Sequence, residues 1–169
     1  MRYNIHSKVI KLIKKYKTRN PFAVAENSGI VVNYVPFNKL KGFFTIINKT
    51  SYININQDLN DEMQKIVCAH ELGHAQLHKD KIINHKTCDI MLFNNESKLE
   101  NEANFFAADL LIADSDIALY AGLYNFTAPQ IANKLSVPVE LIYFKTKSMK
   151  KRDHQINCDL SADYNFLGK

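Results

Sequence analysis

Within the 169-residue chain, one five-residue stretch has the residue types and spacing to hold a metal ion and activate water: His70-Glu71-Leu72-Gly73-His74. Residues four apart on a helix differ by about 40° in direction, so both imidazoles project from one face and can share an ion. Glu71 is turned away by about 100°. It is poorly placed as a third ligand beside both histidines, but well placed to reach a water at the open position of a metal, where a general base belongs. H-E-x-x-H also arises by chance, and two surface histidines on a helix need no explanation. Here, however, the histidines share the apolar face with Ile66, Val67 and Leu77, and burying them without partners would cost about 1–3 kcal/mol each. Metal ligation removes that problem. Gly73 costs about 1 kcal/mol relative to Ala inside a helix, which the close approach of another backbone, such as a small sheet, would explain.

A catalytic zinc site takes three protein ligands and keeps one position open. His78 lies on roughly the same face, but about 6 Å further along the axis, and it lacks the glycine-turn spacing of H-E-x-x-H-x-x-G-x-x-H enzymes. A supporting, substrate-facing or helix-end role suits it better than ligation. An acidic candidate lies in the next long helix, where Glu102 shares a direction with Leu99, Phe106, Leu110 and Ala113, and Glu100 with Asn104, Ala107 and Leu111. A carboxylate on the bulkiest apolar face needs a partner. Glu102 is therefore the expected third ligand, the alternative being an acid at the helix rim. Asp109, two turns further on, reads as a solvated acid, the alternative being a hydrogen-bond partner behind the ligands.

The elements that must position these residues follow from periodicity and capping. Ile5, Val9, Leu12, Ile13 and Tyr16 mark one face of a first helix, and Asn20-Pro21 with Ser28-Gly29 brackets a short second one. Residues 30–35, 43–47 and 52–56 read as strands, the last two joined by a turn near Asn48-Lys49-Thr50. Ile53 and Ile55 alternate with Tyr52, Asn54 and Asn56, which predicts a small antiparallel sheet with one wet face. The H-E-x-x-H helix is expected over 60–78, with Asp61 and Glu62 at its positive end, then a long loop over 79–97 and the glutamate helix over 98–112. Thr127-Ala-Pro-Gln130 has the form of a capping box, and Ser136-Val137-Pro138 opens a further helix through Leu141, Ile142 and Phe144. The expected class is α+β, with units at 1–115, 116–149 (helix-turn-helix-like) and a polar tail at 150–169.

With 46% hydrophobic and 23% charged residues, the composition is that of a globular protein and excludes collagen-like, coiled-coil and low-complexity classes. A net charge of +5 suggests nucleic acid only when taken as one number. Residues 1–52 carry ten basic side chains and one acidic, and residues 126–169 seven and four, but residues 53–125 carry five and twelve. That acidic middle contains both motif helices and suits a cation better than a phosphate backbone. Three cysteines, Cys68, Cys88 and Cys158, form no C-x-x-C pair and fit reduced thiols. No apolar run reaches the length of a membrane span, so a cytoplasmic protein without membrane contact is expected.

The stretches Ala69-His-Glu-Leu-Gly-His-Ala-Gln-Leu-His78 and Glu102-Ala-Asn-Phe-Phe-Ala-Ala-Asp-Leu-Leu-Ile112, with Gly42-Phe-Phe and Tyr52-Ile-Asn-Ile-Asn56, together resemble the ImmA/IrrE family of bacterial metallo-endopeptidases. The pairing of the two helices is far more specific than H-E-x-x-H alone. The resemblance implies a zincin-like domain over 1–115, one Zn2+ held by His70, His74 and Glu102, and Glu71 as general base. For short members it implies cleavage of a cognate helix-turn-helix repressor, and at 169 residues the sensory domain of longer members is not expected. The proline that usually ends the family's glutamate helix is replaced by Ile112-Ala113-Asp114. His78, His85 and Tyr52 are candidates for assisting at the oxyanion, and strand 52–56 for pairing with an extended peptide along its edge. The rival class is a regulator with a structural metal that binds DNA or only sequesters a repressor; in the DNA-binding form a reading helix is needed. Its reading helix, Val139-Glu-Leu-Ile-Tyr-Phe144, is poor in the Arg, Asn and Gln that read base edges, so packing or docking is expected of it rather than direct nucleic-acid binding. The basic run at 145–152 reads as solvated surface.

Overall fold

The computed structural model describes residues 5–84 and 96–152; His85, Cys88, Cys158 and all but the start of the expected tail lie outside them. Most predicted elements form where their local signals put them. Helix α1 spans Ile5–Tyr16 with Val9 buried, and α2 spans Pro21–Asn27. The α2 N-cap, Asn20, accepts from Phe22 N, and Gly29 follows the helix at φ +72°, a backbone state that glycine adopts without a Cβ penalty.

Strands β1 (Ile30–Val35), β2 (Gly42–Ile47) and β3 (Thr50–Asn56) form one sheet in the order β1-β3-β2. Asn48 and Lys49, both at positive φ, make the two-residue turn between β2 and β3. The hairpin returns β3 to the middle of the sheet, antiparallel to β2 but parallel to β1, so the sheet is mixed where the strand pattern predicts an antiparallel one. Strand β3 therefore has no free edge: Ile53 is paired with Val32 on one side and Phe44 on the other. The expected peptide-pairing role of 52–56 is ruled out by this topology, and among the described residues the outer strands of the sheet are β1 and β2. The wet face is also covered. Asn54 and Asn56 are buried, Asn54 accepting from Asn33 and Asn56 donating to the carbonyls of Phe37 and Leu40.

Helix α3 (Asp61–Leu77) begins at the N-cap Asn60, whose side chain accepts from Met63 N, and it packs on α2, β2 and β3. A short helix α4 (Lys79–Asn84) occupies the start of the predicted loop, and α5 (Glu96–Leu111) lies along α3. After α5 come α6 (Asp114–Ile117), a π-helical turn (Ala118–Leu123), α7 (Ala128–Lys134) with the Thr127–Gln130 capping box, and α8 (Val139–Lys150). No described helix is long and apolar enough to cross a membrane.

Helix α8 packs against the rest of the protein, as expected for it, but it does so with part of the basic run that reads as solvated surface. Leu141, Ile142, Phe144, Lys145, Thr146, Ser148 and Met149 are all buried, and the helix packs along α5. The hydrophobic core runs without a break from Val9 through Ile53 and Leu72 to Ile131 and Phe144, so residue 115 marks no boundary in the packing. The face of α8 left at least partly exposed carries Glu140, Tyr143, Lys147 and Lys150 and offers no Arg, Asn or Gln to read base edges. Nor is the basic run uniformly solvated. Lys145 Nζ lies 2.9 Å from Asp109 Oδ1 and 2.6 Å from Asp114 Oδ1, Ser148 donates to Asp109 Oδ2 at 2.8 Å, and Arg152 donates to Asp114 Oδ2 at 2.7 Å. Asp109, expected to be solvated, is 1% exposed. His6, Asp109 and Asp114 have the composition of a second metal site, but the Lys145 ammonium already supplies their cation. Arg19 adds an anchor, donating to the Asp109 and Leu110 carbonyls at the C-terminal end of α5, where the helix dipole favours positive charge.

Removing one member of a buried ion pair leaves the other charged and desolvated, at a cost of about 3–5 kcal/mol. Lys145→Met should lower the unfolding free energy by that order in urea denaturation. The double variant Lys145→Met/Asp109→Asn should recover part of the loss, because the stranded carboxylate is then gone.

Candidate metal centre

Three histidines, one per turn, form a stripe along α3, with ring centroids 4.9 Å apart for His70 and His74 and 5.1 Å apart for His74 and His78. The stripe faces α5, and Gly73 makes the approach close enough to matter. A Cβ placed on Gly73 would stand 3.0 Å from Ala103 Cα, 3.2 Å from Ala103 O and 3.2 Å from Phe106 Cβ. The close backbone neighbour anticipated for this glycine is therefore a helix rather than the sheet. Gly42 has the corresponding role between sheet and helix, since its Cβ would stand 2.5 Å from Val67 Cγ1 and 2.8 Å from Asn54 O.

At this crossing His70 Nε2 lies 3.1 Å from Glu100 Oε2, His74 Nε2 lies 3.2 Å from Glu100 Oε1, and the two Nε2 atoms are 3.2 Å apart. His70 Nδ1 is 2.9 Å from Asn104 Oδ1. That oxygen can only accept, so Nδ1 carries a hydrogen, and Nε2 of a neutral ring is left as a bare lone pair facing a carboxylate. Such a contact requires positive charge between the two atoms, either a proton that makes His70 an imidazolium or a metal ion. The ionisation of the groups reflects this demand. Burial pulls the His70 pKa down, but its hydrogen bond to Glu100, the charges of Glu71 and Glu100, and its hydrogen bond to Asn104 prevail and raise it. Burial pushes Glu100 up, but its hydrogen bonds and charge interactions with His70 and His74 hold it well below the usual carboxylate range.

One cation bound by both nitrogens and a carboxylate oxygen would satisfy all three contacts at once. Their lengths suit it: ligands around a tetrahedral zinc with bonds of about 2.0–2.1 Å stand about 3.3 Å apart. His70, His74 and Glu100 form the donor set that fits a metal here. Glu71 stands beside it at 8% exposure, and its charge acts on both His70 and Cys68. Burial and that charge push the Cys68 thiol up to about 12, so Cys68 stays a protonated, inert thiol.

Glu102, expected to join His70 and His74, lies elsewhere: its Oε2 is 3.0 Å from His78 Nε2, and Glu100 occupies the place assigned to it. The expectation ranked the faces of α5 by bulk. The α5 residues that meet His70 and Gly73 are instead Asn104, Ala103 and Phe106, and Glu100 lies one turn before Asn104. Asn104 was not anticipated as a partner of His70, although its position four residues after Glu100 puts the two on one face. His78 is buried, and its Nδ1 lies 3.1 Å from His74 Nδ1. Burial lowers its pKa to about 4 against the pull of Glu102. Tyr52 sits on the central strand, in register with Val31 and Thr45, and makes none of these contacts.

Residues 25–147 match the family model described as Peptidase_M78, the IrrE N-terminal-like domain. The chain is 40% identical over 153 residues to the uncharacterized immunity region protein 2 of Bacillus phage phi105, covering 87% of this chain and 92% of that protein. It is 27% identical over 157 residues to the metallopeptidase ImmA of Bacillus subtilis strain 168, covering 90% of this chain and 89% of that protein.

Because the helix crossing sets the distance from Glu100 to the histidines, Gly73→Ala should act at the site as well as on stability. Overpacking of about 1–3 kcal/mol outweighs the gain of about 1 kcal/mol in helix propensity. A lower urea midpoint together with weaker Zn2+ binding by titration calorimetry is the expected result. Unchanged Zn2+ binding would show that the crossing does not govern the donor set.

Proposed function

This chain belongs to the Peptidase_M78 (IrrE N-terminal-like) family, and on that premise we propose that it is a zinc-dependent endopeptidase. The observation that carries this reading is the meeting of His70 Nε2, His74 Nε2 and Glu100 at 3.1–3.2 Å beside the buried Glu71. His70, His74 and Glu100 would hold the metal. When bound, zinc supplies a Lewis acid that lowers the pKa of water and polarises a carbonyl.

The remaining chemistry belongs to the chain. Glu71 accepts the proton of the attacking water on its carboxylate and delivers it to the leaving amine nitrogen, so that water adds across the peptide bond and the base is restored. Asn104 holds the His70 ring with its Nε2 toward Glu100. The core beneath α3, with Leu72, Ile53 and Ile55 fully buried, keeps bulk water from the inner side of the site. The outer side of β1 or β2, which pairs with no other strand among the described residues, offers main-chain pairing to an extended substrate.

The substrate we propose is a helix-turn-helix repressor, cleaved at a specific site to release the genes it controls. Support comes from the immunity-region name of the phage relative and the metallopeptidase name of the Bacillus relative. The burial of α8 weighs against the rival reading of a DNA-binding regulator. Incubating the full chain with the repressor encoded beside its gene, followed by mass spectrometry, should yield a discrete pair of fragments that chelator abolishes. An intact repressor at saturating Zn2+ would overturn this substrate assignment. Glu71→Gln should keep its zinc while kcat falls by about 10²–10⁴-fold, the usual contribution of a general base. Glu100→Ala should lose metal affinity by well over the roughly 100-fold upper end seen for outer-shell partners.

A further inference from the structure

The third histidine of the stripe is not needed as a ligand, yet it is the most enclosed of the three. His78, with a side chain only 1% exposed, is the residue that ends α3: its backbone N–H donates to the His74 carbonyl, and its own carbonyl accepts from Lys81. With the main chain pinned on both sides, the ring folds back between His74 and Glu102. Its Nδ1 lies 3.1 Å from His74 Nδ1 and its Nε2 lies 3.0 Å from Glu102 Oε2.

The direction of the hydrogens follows from which atoms can accept. An ionised carboxylate only accepts, so His78 Nε2 carries the hydrogen donated to Glu102. A neutral imidazole has one donor and one acceptor, so His78 Nδ1 is the acceptor. His74 must then donate from its own Nδ1, and its Nε2 is left as the lone pair that faces His70 and Glu100. The opposite polarity would place a hydrogen on His74 Nε2 and close the donor set.

We propose that His78 and Glu102 form a positioning pair that holds His74 in the Nδ1–H form and presents its Nε2 to a metal. The pair touches neither substrate nor metal and acts through His74, as hydrogen-bond partners behind metal-binding histidines do. It explains why α5 supplies two carboxylates to one histidine stripe: Glu100 meets the Nε2 side of His70 and His74, and Glu102 fixes the far end of the chain of rings. The inference rests on the metallopeptidase reading.

The test uses the full chain and two readouts, Zn2+ affinity by competition with a chromophoric chelator and the ring nitrogen shifts of His74 by ¹⁵N NMR in metal-free protein. His78→Ala and Glu102→Ala should each weaken Zn2+ binding by about 10–100-fold and move His74 out of the Nδ1–H form. His78→Gln keeps an acceptor for His74 and a donor for Glu102, so it should return both readouts close to wild type, whereas a residue that only fills space would not be rescued by this change. Wild-type affinity and unchanged His74 shifts in Glu102→Ala, with the same in His78→Ala where it folds, would overturn the pair. So would a His78→Gln variant that loses affinity as far as His78→Ala. A wild-type chain that binds no Zn2+ although His74 is in the Nδ1–H form would instead overturn the metallopeptidase reading beneath it.

Discussion

The absence of a side chain at residue 73 governs the geometry of this protein. Two helices that both contribute polar groups to one point must come close enough for a carboxylate of moderate reach to meet two imidazoles. The contact of Gly73 with Ala103 and Phe106 sets that distance. Glycine weakens α3 as a helix, and the close packing that it allows offsets the loss. His70 and His74 then face Glu100 and Asn104 directly, in a site whose donors have no better partner than a cation.

A close crossing is useful only if the partner helix cannot drift, and the remainder of the fold limits such motion. Arg19 ties the end of α5 to the α1–α2 connection through the Asp109 and Leu110 carbonyls. Lys145 and Ser148 of α8 hold Asp109 from the other side. Buried charge of this kind adds little to stability beyond what apolar packing would provide, but it is directional, and it fixes the rotation of α5 about its own axis. That rotation determines which of the two glutamates meets which histidine. The C-terminal helices are thus part of the machinery that positions the site, not an appended unit.

The sheet contributes in a different way. Insertion of β3 between β1 and β2 buries Ile53 and Ile55 beneath α3 and brings Gly42 against Val67 and the Asn54 carbonyl. This second close contact seats α3 from below while Gly73 seats it from the side. Helix α3 is thus held between two close contacts, each made possible by a glycine, Gly73 of α3 against α5 and Gly42 of β2 against Val67 of α3. Polar residues of β3 that read as a wet face serve the same seating, because Asn56 binds the loop carbonyls of Phe37 and Leu40 and closes that end of the sheet.

Local chemistry was legible in the amino-acid sequence because it depends on near neighbours. The caps at Asn20 and Thr127, the turn near Asn48-Lys49 and the four-residue spacing of His70 and His74 need only the residues within one or two turns. The pairing of an H-E-x-x-H helix with a downstream glutamate helix was legible too, as was the need of Gly73 for a close neighbour. Choices between equivalents were not. Whether β3 lies at the edge or the centre of the sheet depends on which strand the hairpin folds against, since alternation of Ile and Asn is compatible with either. Whether α8 is buried depends on Asp109 giving Lys145 a partner 36 residues away. Glu100 and Glu102 are two residues apart on one helix and chemically identical. Only the rotation of α5 against α3, set by packing over the whole core, decided that Glu100 meets His70 and His74 while Glu102 meets His78.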